Sequence, residues 1–237
     1  MAWKPYTPFV SASALNLWNS CRRCFYLARR LKIERPEQQS FALQNVIDGL
    51  MKKEFDGYRE RAEAHPVMRD LPGDLVPLAD ARLADWRDYR TGLKAAHSAT
   101  GLTIYAVVDD LWLSREDGSV RVVDYKTHGA DRPFSLDSGW GPAYQRQLDL
   151  YAYALLHGGV GLPVSSTSHV LAVQPDRGAA AFGGVLRFDA ELHTHECDAS
   201  WIDGELAEIV ECLESDAPPA PAADCRFCTY VMSTAAL

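Results

Sequence analysis

Leu102-Thr-Ile-Tyr-Ala-Val-Val-Asp-Asp-Leu-Trp-Leu113, Ser114-Arg-Glu-Asp-Gly-Ser119 and Val120-Arg-Val-Val-Asp-Tyr-Lys126 form one unbroken stretch, and its reading decides the fold. The outer segments are rich in β-branched and aromatic side chains, which suit strands. Between them Asp117-Gly118 is the strongest local turn cue, so the stretch reads as a β-hairpin. Pairing Leu113 with Val120 carries the register back to Asp109 opposite Asp124. Opposed residues share a face with Cβ atoms roughly 4.5–5.5 Å apart, and facing like charges repel. Lys126, two residues beyond Asp124, projects from that same face, while Val108, Trp112 and Tyr125 fall on the other.

Two carboxylates and an ammonium on one patch of a mostly apolar hairpin call for a physical reason. A hard divalent cation such as Mg²⁺ supplies one, because it takes a few carboxylate oxygens and keeps water for chemistry. It lowers the pKa of a bound water and offsets charge on a phosphate, with a lysine to position or activate that water. A solvated face with a local Lys–Asp ion pair gives the same pattern. A register slip of one residue replaces Asp109 by Asp110, and spacing alone leaves both open.

Working outward, a loop containing Gly129, Pro133, Gly139, Gly141 and Pro142 leads to a helix over Tyr144 to His157, ended by Gly158-Gly159. Gln147 and Tyr151 are i and i+4, and Tyr144 is i−3 from Gln147, so the three share a face. Leu148, Ala152 and Leu155 take the core side. Further strands are expected near Ser168–Val173 and Val185–Phe188, then a helix from about Ser200 to Leu213. On the N-terminal side, Ser11 or Ser13 caps a helix running to about Leu31, with Leu15, Trp18, Phe25 and Tyr26 as apolar contacts. A second helix covers about Leu43 to Ala64, with Val46, Leu50 and Phe55 among its apolar positions. Residues 66–77 carry three prolines and read as a loop. Lys52, Lys53, Arg59 and Arg61 either track a nucleic-acid backbone or form the outer face of the second helix.

The chain has 237 residues, 47% hydrophobic and 24% charged, an ordinary globular composition expected to make a single domain. No apolar run approaches the roughly 20 residues of a membrane span, and Met1-Ala2-Trp3-Lys4-Pro5 lacks the apolar core of a secretory signal. A cytoplasmic protein is therefore expected. The net charge of −8 is unevenly spread: residues 1–69 hold 12 Lys+Arg against 7 Asp+Glu, and the rest hold 12 against 25. That asymmetry hints at a charged ligand near the N-terminal part, and some of the acidic excess suits metal ligation.

Cys21, Cys24, Cys225 and Cys228 make two Cys-x-x-Cys pairs, one near each end of the chain. In an intracellular protein such pairs read as a metal or cluster site before they read as disulfides. On one helix, Cys21 and Cys24 share a face. The Pro- and Ala-rich connector at 217–222 delivers the other pair, so the site joins residues 11–31 to residues 217–230. Cys197 and Cys212 read as small buried hydrophobes. His193-Thr-His195-Glu-Cys197 looks metal-like but reads as a solvated loop.

Assembled, these residues resemble the PD-(D/E)XK nuclease superfamily, specifically its RecB-like branch. The resemblance rests on Ala106-Val-Val-Asp109, Val123-Asp124-Tyr125-Lys126-Thr127 and Gln147-Leu-Asp-Leu-Tyr151, with the Ser11–Leu27 opening and the cysteine-bearing C-terminus. It implies a restriction-endonuclease-like α/β core, a mixed central sheet flanked by helices. It also implies Mg²⁺ or Mn²⁺ at Asp109 and Asp124, a catalytic Lys126, and Gln147 and Tyr151 in support. By the same resemblance the four cysteines hold a [4Fe–4S] cluster, as in CRISPR-adaptation and AddB-type exonucleases, and the activity is exonucleolytic cleavage of single-stranded DNA ends. The alternative is a module that binds nucleic acid without cleaving it.

The sequence departs from that pattern in three places. Relatives often place a metal-ligating histidine four residues after a glycine in the second helix, where Gly49-Leu-Met-Lys-Lys53 has Lys53, with Asp48, Glu54 and Asp56 nearby. Ala106 stands where relatives often have glycine. Cluster-bearing relatives commonly use one N-terminal and three C-terminal cysteines, whereas two and two leave structural Zn²⁺ open as well.

Overall fold

Along the residues that the computed structural model describes (6, 8–36, 42–129 and 131–235), the N-terminal elements are β1 (Phe9–Ser11), α1 (Ala12–Ser20), α2 (Arg22–Arg30) and α3 (Ala42–Arg61). A 3-10 turn at Pro66–Met68, β2 (Leu75–Pro77), α4 (Leu83–Arg87), β3 (Leu93–His97) and β4 (Leu102–Ala106) follow. The hairpin strands are β5 (Asp110–Ser114) and β6 (Val120–Thr127). After them come α5 (Gly141–His157), β7 (Thr167–Pro175), β8 (Phe188–Glu196), α6 (Ile202–Glu214) and α7 (Arg226–Ala235). The fold is mixed α/β, with helices flanking mixed sheets. The Met1–Pro5 stretch read above for a secretory signal lies outside the described residues. Among those residues, no helix is long and apolar enough to cross a membrane.

The described residues fall into two compact units, one drawing on residues up to 36, 94–105 and 200–235, the other on 42–93 and 106–199. In the first unit, a three-stranded sheet runs β1-β4-β3, with β1 parallel to β4. Ser11 caps α1 by accepting the Ala14 N–H at 3.3 Å. The single helix expected over residues 11–31 is broken at Cys21, whose backbone is extended at φ −170° and ψ 106°. Neither glycine nor proline marks that break. Trp18 meets Phe25 edge-on at 5.2 Å, and Ile202, Leu206, Ile209 and Leu213 form the buried stripe of α6.

In the second unit, a five-stranded sheet runs β2-β5-β6-β7-β8. The hairpin register is the one the sequence implies, Leu113 opposite Val120 and Asp110 opposite Val123. Gly118 takes φ +72° in its turn, a conformation that suits glycine. Strands β6 and β7 are parallel, so the chain crosses over between them, and α5 is that crossover. Its start is set by backbone packing: a Cβ on Gly141 would lie 2.1 Å from the Leu136 carbonyl oxygen. On the other sheet face, α3 lays Ile47, Met51 and Phe55 against Trp112, Val123 and Tyr125, with Phe55 and Trp112 rings stacked at 5.7 Å.

The structure departs from the sequence pattern at several points. The strand expected over residues 102–113 is two strands in different sheets, parted at Val107–Asp109. Val46 and Leu50 lie outside, because the buried stripe of α3 is offset by one residue to Ile47, Met51 and Phe55. The proline-rich loop at 66–77 contains a 3-10 turn and β2. The strand placed at Val185–Phe188 begins at Phe188 and runs to Glu196, so His193 and His195 belong to a strand and not to a loop. Its side chains are mostly half-buried or exposed and polar, as suits a sheet edge, and so it lacks an apolar signature.

His169 of β7 is fully buried, stacked on Trp112 at 5.4 Å with Arg121 Nη1 3.5 Å from its Nε2. Burial, followed by the Arg121 charge, pushes its pKa down to about 4. A histidine depressed in the folded state contributes its full stability above its unfolded pKa of about 6.5 and loses it progressively as pH falls from there through about 4. Between pH 7.5 and 4.5, wild type is therefore expected to lose roughly 3 kcal/mol more unfolding free energy than His169→Gln. Urea titrations of both proteins at the two pH values check this; parallel losses would refute it.

Candidate functional site

Asp109 sits one residue before β5, where the ladder would next place it opposite Asp124. It does not join the ladder through its backbone. Its carboxylate Oδ2 instead accepts the Tyr125 N–H at 2.9 Å, which pins the side chain to β6 at the residue next to Asp124. Lys126 Nζ lies 2.5 Å from Asp124 Oδ2 and 5.0 Å from the centre of the Tyr144 ring. Gln147 Nε2 donates to Asp124 Oδ1 at 2.6 Å and lies 3.1 Å from the Tyr151 hydroxyl. The structure thus brings together all five residues singled out from the sequence.

It adds a sixth. Lys52 of α3 lies 2.9 Å from Asp109 Oδ1 and 2.8 Å from Asp48 Oδ2. Lys53, placed in the sequence at the position of an extra ligand, is exposed on the outside of the helix. Two of the four cations read as a nucleic-acid track or as the helix's outer face therefore point inward, since Arg59 contacts Asp110 and Asp56. The signal was available: Asp48, Lys52 and Asp56 recur at i, i+4 and i+8, a polar stripe one residue out of phase with the apolar one.

Strand alternation separates Asp110 from this group. Its side chain goes to the opposite sheet face, fully buried, where Oδ2 accepts the Tyr125 hydroxyl at 2.7 Å and Arg87 Nη2 stands 3.0 Å from Oδ1. Arg87 also reaches Asp56 at 2.8 Å and the Asp109 carbonyl at 2.8 Å. That network ties α3 and α4 to the hairpin. It leaves Asp110 no room to act beside Asp124.

The electrostatics follow from burial and the two lysines. Burial, then the Asp109 charge, lift the Asp124 pKa to about 7 against the pull of Lys126. Burial also works against ionisation of Asp109, but the Lys52 and Lys126 ammoniums outweigh it and hold that carboxyl below the usual range. Lys126 is half-buried and its desolvation works against the charge, yet Asp124 and Asp109 raise its pKa, so it stays an ammonium. The Tyr151 phenol is raised by burial and by both carboxylates, and remains protonated.

In the first unit the four cysteines converge as expected. The Sγ atoms of Cys24 lie 3.6 Å from Cys225 and 3.5 Å from Cys228, and those of Cys21 and Cys228 are 3.8 Å apart. All four residues are buried, and their sulfurs lie within 4.8 Å of one another. Burial opposes the Cys21 thiolate, but N–H groups of Ala222 and Cys24 more than offset it and bring its pKa to about 6. Helix α7, which follows the connector, carries Cys228.

His195 Nε2 pairs with Asp149 Oδ1 at 2.7 Å, and the Cys197 thiol donates to Ser168 Oγ at 3.1 Å. Burial pushes that thiol up to about 12, which makes it an inert neutral group. Cys197 and Cys212 are half-buried and not fully interior. Against known families, the model of the PD-(D/E)XK nuclease superfamily matches residues 10–233. No curated protein matches the chain.

Proposed function

The chain belongs to the PD-(D/E)XK nuclease superfamily, and on that premise we propose that it is a divalent-metal-dependent DNA nuclease, acting exonucleolytically on single-stranded ends. The observation that carries this reading is the pinning of the Asp109 carboxylate to the Tyr125 N–H, one residue from Asp124, with the Lys126 ammonium against Asp124. The donor set fits Mg²⁺ or Mn²⁺, because it is made of two carboxylates, Asp109 fixed by the Tyr125 N–H and Asp124 buried beneath Gln147 and Lys126. Such a cation, when bound, makes water a stronger nucleophile near neutral pH and offsets charge building on the phosphate.

The chain's own residues then have distinct work. Asp109 and Asp124 hold the cation, and the Tyr125 N–H fixes the approach of Asp109. Gln147 orients Asp124, and Tyr151 holds Gln147 in place. Lys126, an ammonium, points a fixed positive charge at the attacking water and the phosphate oxygens. Labelled single- and double-stranded DNA, incubated with Mg²⁺, Mn²⁺ or EDTA beside a Lys126→Ala control, tests the reading. Metal-dependent loss of single strands from their ends supports it, and cleavage that survives EDTA overturns it.

One observation favours the second reading, a module that binds nucleic acid without cleaving it: Lys52 already supplies a cation to Asp109. A divalent ion and an ammonium repel each other there, by about 1 kcal/mol per unit charge pair at 4 Å even in water. Lys52→Met is accordingly expected to tighten Mn²⁺ binding about tenfold or more, measured by titration calorimetry. Equal affinities would show that Lys52 swings clear of the bound ion. Binding of DNA with no cleavage by either protein under any metal would establish the second reading.

A further inference from the structure

We propose that the four cysteines of the first unit hold one tetrahedral ion, Zn²⁺, and not the iron–sulfur cluster that the resemblance implies. The spacing of the sulfurs carries the inference, and it does not depend on the nuclease reading. With Zn–S bonds of about 2.3 Å, a regular tetrahedron of thiolates has edges of about 3.8 Å. The separations in the structure are 3.5, 3.6 and 3.8 Å, and no pair exceeds 4.8 Å. A [4Fe–4S] cubane binds each thiolate to a different iron, so four irons and four sulfides must lie between the protein's sulfurs. Sulfurs this close leave no such space.

The local architecture explains why the sulfurs stand this way. Each Cys-x-x-Cys pair begins a helix: Cys21 is the N-cap of α2 with Cys24 in its first turn, and Cys225 immediately precedes α7 with Cys228 in its first turn. Both helices therefore aim their positive N-terminal ends at the sulfurs, which favours thiolate. The Ala222 N–H approaches Cys21 Sγ at 3.5 Å, and Arg35 Nη2 approaches Cys225 Sγ at 3.6 Å while its guanidinium sits 4.6 Å from the Phe227 ring centre. One Zn²⁺ with four thiolates carries a net charge of −2, and these donors and the Arg35 cation compensate it. Binding replaces the thiol protons, which leave to solvent, and no electron is transferred. With every position filled by sulfur, the ion is structural.

The test uses the full chain, produced and purified anaerobically from iron-supplemented cells so that cluster assembly is not limiting. The expected protein is colourless, carries about one zinc and no acid-labile sulfide, and shows a single shell of sulfur scatterers at about 2.3 Å by X-ray absorption. A brown protein with iron, sulfide and metal–metal scattering would overturn the proposal. So would a metal-free protein that fails to take up one equivalent of Zn²⁺ after reduction. DNA cleavage is not a readout in any arm, so the outcome is independent of the function proposed for the second unit.

Discussion

Lys126→Ala is expected to lower metal-dependent DNA cleavage by about a hundredfold to a thousandfold, the usual loss when one preorganised charge-stabilising group is removed from a phosphate- or oxyanion-directed site. The expectation follows from where the lysine stands. Its ammonium is held 2.5 Å from Asp124 by the two carboxylates, which also keep it charged. It is a fixed cation, costing no reorganisation when charge builds on the phosphate. Loss of the side chain leaves the Asp109–Asp124 pair with one compensating cation fewer, so the demand for a divalent ion rises. Weaker metal binding therefore does not explain the lost cleavage, and Mn²⁺ titration of the variant separates the two effects. If Lys126 served only as an ion-pair partner, Lys126→Ala would shift the melting temperature and leave the cleavage rate unchanged. Undiminished turnover in that variant would remove the catalytic assignment.

What the sequence shows of this site depends on how local the determining contacts are. The hairpin register is legible to within one residue, because an Asp-Gly turn and period-two alternation confine it, and the pairing of Leu113 with Val120 selects Asp109 over Asp110. That register alone brings Asp109 to Asp124, and helical spacing alone puts Gln147 and Tyr151 on one face. The break at Val107–Asp109 is not legible, since β-branched and aromatic residues run through it and only pairing with two different sheets divides them. Lys52 was hidden by a competing apolar pattern: Val46 and Leu50 satisfy helical periodicity as well as Ile47 and Met51 do, and choosing the wrong stripe turns Lys52 outward. The break at Cys21 is not legible either: neither glycine nor proline marks it, and the sulfur contacts beside it, such as Cys24 to Cys228, join residues 204 apart in the chain.

Cys24→Ser is expected to lower unfolding free energy by more than about 3 kcal/mol, because ion binding at a closed site is folding free energy. Zinc-finger peptides gain about 10–16 kcal/mol from such an ion. The first unit gains less in proportion, having a core of its own around Trp18, Phe25 and the α6 stripe. Cys24 is the informative position because it touches both C-terminal cysteines, at 3.6 and 3.5 Å. If the four thiols merely packed, exchanging one for a hydroxyl would cost about 1–2 kcal/mol, the usual range for a buried polar group with partial compensation. The half-buried Cys212, replaced in the same way, serves as the comparison. A strong chelator should reproduce the loss in wild type and add little in Cys24→Ser, since both remove one coupled interaction. Zn²⁺ should restore stability where Mg²⁺ does not, which separates this site from the carboxylate pair. A wild-type melting temperature indifferent to chelation would mean that no ion joins these two helix ends.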